Sequence, residues 1–178
     1  MATSQAGGPG VGAPQSERPT YKLQAGAAPD AIVVHCSDPR FQGAFSEFIR
    51  NELGLAPGEY IPIVVGGGGG VLAHPEQLPK EFKFLKDRFD MHMRRFHSIS
   101  RIILINHEGC DYYAGLRDKL KHLFGPLASS TTDKQRSDLK GVAHKLVGMV
   151  LPGVNIELYY AHLVTPDGDS VVFDRIPI

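Results

Sequence analysis

Residues 31–40 read AIVVHCSDPR. The first five are mostly apolar and β-branched, the pattern of a short buried strand, Ala31–His35. The next five place Cys36, Asp38 and Arg40 at alternate positions just past its end. A second stretch has the same form: RIILIN, 101–106, reads as a strand, and HEGC, 107–110, follows it at once. The chain has 2 cysteines, and both fall in these two places.

Between and beyond them, helical and strand patterns alternate. Phe41–Leu53 has apolar residues near helical spacing (Phe41, Phe45, Phe48, Ile49, Leu53) and ends at Gly54. Tyr60–Val65 is a second strand, in which Pro62 argues for an edge position or a strand entry. Lys80–His97 aligns Phe82, Leu85, Phe89, Met93 and Phe96 on one side of a helix. Tyr112–Phe124 reads as helical, 125–136 as a loop and Ser137–Val150 as a helix. Val154–Val164 is a long strand, PDGD at 166–169 is a turn, and Ser170–Arg175 is a short returning strand. The expected fold is α/β: a mostly parallel central sheet of about four strands flanked by helices, closed by a short antiparallel C-terminal strand. In open sheets of this kind, ligands bind beyond the carboxyl ends of the strands, where both cysteine motifs fall.

Composition bounds the function. With 178 residues and 42% hydrophobic content, the chain has the size and apolar share of one ordinary domain. Residues 1–28, rich in Gly, Ala, Pro and Ser, read as a disordered tail, and 29–178 as a single zinc-binding α/β domain. A formal net charge of zero argues against nucleic-acid and membrane-surface partners. No secretory signal or bilayer-spanning stretch is visible, and two cysteines make no disulfide framework, so a reducing cytoplasmic setting is expected.

Cys36, His107 and Cys110 supply two soft thiolates and an imidazole, a donor set for one metal ion. A catalytic zinc takes three protein ligands and keeps a fourth position open. Two thiolates and an imidazole favour Zn²⁺ over Mg²⁺ or Ca²⁺. Asp38, two residues from Cys36, can point the same way, and Arg40 can pair with it in bidentate fashion. Taken singly, each motif reads better as a buried thiol, a chance spacing or a surface turn; their joint placement reverses that balance. His35 should point to the opposite face from Cys36. His74 follows the glycine run as a loop histidine that could shuttle protons. His92, His97, His122, His144 and His162 have no ligand spacing to either motif. Gly66–Gly70 matches neither nucleotide-binding glycine signature, and reads as a flexible turn bringing backbone close to the site or to a partner subunit.

The pair C-x-D-x-R and, about seventy residues on, H-x-x-C resembles the β-class carbonic anhydrases. The likeness runs from about Ala31 to the closing strand, through the phenylalanine-rich helix, APGEYIPIVVGG and the long helix before the second motif. It implies zinc held by Cys36, His107 and Cys110, and reversible hydration of CO₂ to bicarbonate by a zinc-bound hydroxide. It implies that an Asp38–Arg40 dyad orients that hydroxide, with Asp38 able to become a fourth ligand in a closed state. It also implies a homodimer or higher homo-oligomer. The chain departs from the family at Pro39 (usually Ser), at Glu108, at Asp111 (usually small), and at VVGGGGGV in place of an Asn-Ala-Gly segment. A hydrolase of carbonyl sulfide or carbon disulfide and a non-catalytic zinc domain are the alternatives, with a metal-free fold behind both.

Overall fold

The computed structural model describes residues 20–24, 26–76, 78–115, 118, 130–150, 152–165 and 168–178. Five strands, β1 (Ala31–His35), β2 (Tyr60–Val64), β3 (Arg101–His107), β4 (Asn155–Leu163) and β5 (Val171–Ile176), form one sheet in the order β2-β1-β3-β4-β5. The first four are parallel and β5 returns antiparallel to β4. The expected architecture is therefore present. Pro62 lies in β2, an edge strand, where a missing N–H costs no ladder bond on the open side.

Among the described residues three longer helices cover the sheet: α1 (Gln42–Asn51), α2 (Pro79–Arg95) and α3 (Thr131–Val147). α1 buries Phe45, Phe48 and Ile49 against Val33, Ile103, Ile105 and Tyr159 on one face. α2 and α3 bury Leu85, Phe89, Leu139, Val142 and Leu146 against Ile32, Val34, Leu104 and Leu158 on the other. β1 and most of β3 are buried on both sides, which explains their unbroken apolar reading. Among the described residues no helix is long and apolar enough to cross a membrane.

Two expectations need correction. α3 begins at Thr131, inside the expected loop 125–136. The Ser130 hydroxyl accepts the Asp133 N–H as an N-cap, and Gln135 is buried, so the first turns carry a cap signature and a polar inward residue in place of an apolar stripe. Gly66 and Gly67 do form a turn and bring backbone to Cys36, the Gly67 N–H lying 3.4 Å from its sulfur, but the run does not stay a turn: Gly68–Ala73 forms a 3₁₀ segment in which Gly68, Gly69 and Gly70 are buried. The expected tail falls largely outside the described residues, and 20–24 and 26–28 are exposed without helix or strand. The expected helix 112–124 is seen at 111–115 and 118, and 119–124 lie outside the described residues.

Candidate metal centre

β1 and β3 are parallel neighbours with His35 opposite Ile105, so their carboxyl ends stop side by side. Cys36 leaves β1 there, and His107 is the last residue of β3. Gly109 has φ +64°, a conformation glycine adopts freely, and this turn brings Cys110 back beside His107. The ligand atoms of Cys36, His107 and Cys110 lie within 4.8 Å of one another, and all three residues are buried.

The donor chemistry fits zinc. The His107 Nδ1 is 2.8 Å from the Glu108 carbonyl oxygen, which fixes the ring, while the buried Nε2 has no hydrogen-bond partner. An orphaned imidazole nitrogen beside two thiols is what a metal site leaves when described without its ion. The Phe41 ring packs 4.1 Å from the His107 ring and holds it further.

The two sulfurs are 3.8 Å apart. One thiol bonding to the other makes the first proton easy to lose and the second hard. Cys36 is pulled well below the ordinary thiol value by the Cys110 bond first, helped by His107 and by the N–H groups of Asp38 and Gly67, against burial. Cys110 is pushed up by the same sulfur and by burial, while the N–H groups of Tyr112 and Tyr113 lean the other way. The Gly67 N–H reaches Cys36 Sγ at 3.4 Å.

Asp38 caps the 3₁₀ turn Pro39–Phe41, its Oδ1 accepting the Arg40 N–H at 3.0 Å. Pro39 occupies the first position of that turn, where its fixed φ suits the geometry and its missing N–H is no loss. The Arg40 side chain donates to both Asp38 oxygens, Nε to Oδ1 at 3.0 Å and Nη2 to Oδ2 at 2.6 Å, and Nη2 also donates to the Gly109 carbonyl at 2.8 Å. This pairing holds the Asp38 carboxyl below its usual value. Asp38 Oδ2 stands 4.0 Å from His107 Nε2, so the carboxylate faces the cluster.

Several contributors were invisible in the sequence. Gln42 Nε2 donates to the Cys36 and Asp38 carbonyls at 2.9 and 2.7 Å and pins the turn between them. Glu108, next to His107 in sequence, turns away: its Oε2 accepts the Leu163 N–H at 3.0 Å. The His35 Nδ1 is 3.0 Å from the Cys36 carbonyl, and its ring packs 4.8 Å from Phe45, outside the cluster. His74 Nε2 sits 2.9 Å from Asp138 Oδ2 and 3.1 Å from Lys134 Nζ, also outside it. Spacing alone points to the three clustered donors; it does not point to the glutamine or the carbonyl beside them.

No protein-family model matches the chain, and no relative is found among curated proteins. Solved structures do match. A carbonic anhydrase from Streptococcus mutans superposes with TM-score 0.54 at 14% identity, covering 89% of this chain and 88% of that one. The β-carbonic anhydrase isoform I from Trichomonas vaginalis superposes with TM-score 0.52 at 14% identity, covering 89% of each chain. At such identity the likeness speaks for the fold, over 89% of this chain. The chain has a divergent form of the fold of the β-carbonic anhydrases.

Proposed function

We propose that the chain is a zinc-dependent carbonic anhydrase, interconverting carbon dioxide and bicarbonate. One observation carries the reading. On a fold shared with carbonic anhydrases, a buried Cys36–His107–Cys110 cluster faces an Asp38 carboxylate that Arg40 holds in place. The three clustered residues would hold the ion. When bound, zinc supplies the Lewis acidity that makes water a nucleophile near neutral pH.

The remaining work falls to the chain. Two thiolates offset the formal charge of the ion, so orientation of the water matters more. Asp38, held in place by Arg40, accepts a hydrogen bond from the attacking water and aims its lone pair at carbon. Attack forms one C–O bond, opens one C=O π bond and releases one proton, leaving bicarbonate. Arg40 is 59% exposed, and its edge lines a groove of ≈ 500 Å³ between α1 and β5, so the dyad lies within reach of solvent.

The test is stopped-flow CO₂ hydration on protein whose zinc has been counted, alongside Arg40→Ala. Without Arg40 the Asp38 carboxyl loses the pairing that holds it low and returns toward the ordinary carboxylate range. The carboxylate then still stays ionised from mildly acid to alkaline pH. The loss is therefore one of aim: the rate falls about 10²-fold while the acid side of the pH profile keeps its shape. Stoichiometric zinc with no hydration by the unaltered chain would move the reading to carbonyl sulfide, carbon disulfide or a non-catalytic zinc domain.

The same likeness supports a homodimer or higher homo-oligomer. Phe84, 48% exposed, borders an apolar groove with Gly66 and Tyr112 beside the cluster. Light scattering that returns the monomer mass at working concentration would remove this part of the proposal.

A further inference from the structure

The glycine run is packed too tightly to be a spacer. A Cβ on Gly67 would lie 2.2 Å from the Tyr112 ring, one on Gly68 2.9 Å from the Ile105 carbonyl, and one on Gly69 3.0 Å from Leu104 Cβ. A Cβ on Gly70 would fall 1.5 Å from the Tyr113 hydroxyl. Four consecutive backbone units thus lie directly on the end of β3 and on the two tyrosines that follow Cys110. The segment is tied to β1 as well, through Val65 N–H to the His35 carbonyl at 3.1 Å and Ser37 N–H to the Val65 carbonyl at 3.2 Å. Gly67 takes the left-handed conformation, φ +80°, and from there its N–H points at Cys36 Sγ, 3.4 Å away.

We propose that Gly66–Gly70 is a positioning element of the metal centre: the Gly67 N–H donates to the Cys36 sulfur and tempers its donor strength. A hydrogen bond to a thiolate draws charge from sulfur and fixes its direction, as partners of metal ligands generally do. The arrangement links both ligand motifs mechanically. Tyr112 and Tyr113, two and three residues after Cys110, pack against the backbone that bonds Cys36. A side chain at position 67 would run into the Tyr112 ring and one at 68 into the Ile105 carbonyl, both from a left-handed backbone, so neither fits without moving the segment that carries the N–H.

This inference rests on the metal centre proposed above and is independent of the reaction performed there. The test loads the full chain with an NMR-active cadmium isotope. The Gly67 amide proton is expected to show a scalar coupling to cadmium, transmitted through the N–H···S bond. Cadmium held by both thiolates, with its charge-transfer band present and no coupling at Gly67, overturns the inference. Cadmium not held at all overturns the metal centre and the inference together. A second measurement replaces the Gly66–Gly67 amide by an ester, which removes the N–H donor and leaves every side chain in place. With cobalt bound, the sulfur-to-metal band is expected to move to longer wavelength, because the sulfur regains the charge the N–H drew from it. An unmoved band in the folded ester protein overturns the tempering role. A chain that shows the coupling and hydrates no CO₂ keeps the inference and loses the proposed reaction.

Discussion

Asp38→Ala is expected to keep its zinc and lose about 10²–10⁴-fold in CO₂ hydration rate. Metal retention follows from the geometry: the donor cluster is Cys36, His107 and Cys110, and Asp38 bonds to Arg40 rather than to any of them. The rate loss follows from orientation. The Asp38 carboxylate is the acceptor aimed at the cluster, 4.0 Å from His107 Nε2, and alanine leaves nothing there to hold the water. The substitution sits at the cap of a single 3₁₀ turn, so its structural cost is about that of a lost N-cap, roughly 1 kcal/mol. Stopped-flow hydration with zinc counted on the same sample decides it. A fall of only a few-fold with zinc retained would take Asp38 out of the mechanism.

Cys110→Ser is expected to lose stoichiometric zinc on dialysis. Serine is close to cysteine in size, but its hydroxyl is a hard, weak donor where zinc favours thiolate. The remaining thiol and imidazole are then two ligands where three are needed. The effect is also readable as stability. In the unaltered chain, zinc at 100 times its dissociation constant should add about 2.7 kcal/mol. That raises Tm by about 5–10 °C for a chain of this size. In Cys110→Ser the zinc-dependent rise should vanish, while the metal-free Tm stays close to that of the unaltered metal-free chain. A variant that binds zinc as tightly as its parent would show that Cys110 is no ligand.

The candidate ligands were legible because each lies where a strong local pattern breaks. Apolar β-branched runs end at His35 and Asn106, and soft donors follow immediately. Spacing carried Asp38 and Arg40 as well, since a capped turn brings positions two apart onto one side. Other features were not legible. Glu108 reads as a carboxylate beside a ligand, yet it serves the Leu163 N–H where the β3–β4 ladder ends. The start of α3 was hidden because its first inward residue, Gln135, is polar and bonds the Tyr160 hydroxyl at 2.8 Å. Gly66–Gly70 reads as flexibility because composition cannot tell a glycine that moves from one that is crowded.

By itself the sequence determined the alternation of strands and helices, the antiparallel return at the end, and the identity of the clustered donors. These depend on periodicity and residue chemistry over short spans, where neighbours along the chain are neighbours in space. Tertiary structure decided the rest. Pairing of β1 with β3 in register brings Cys36 to His107 across 71 positions of chain, from residue 36 to residue 107. Packing of Tyr112 and Tyr113 against bare backbone places the Gly67 N–H on sulfur. Such contacts are long-range and steric. They depend on which surfaces meet, and no local pattern records that.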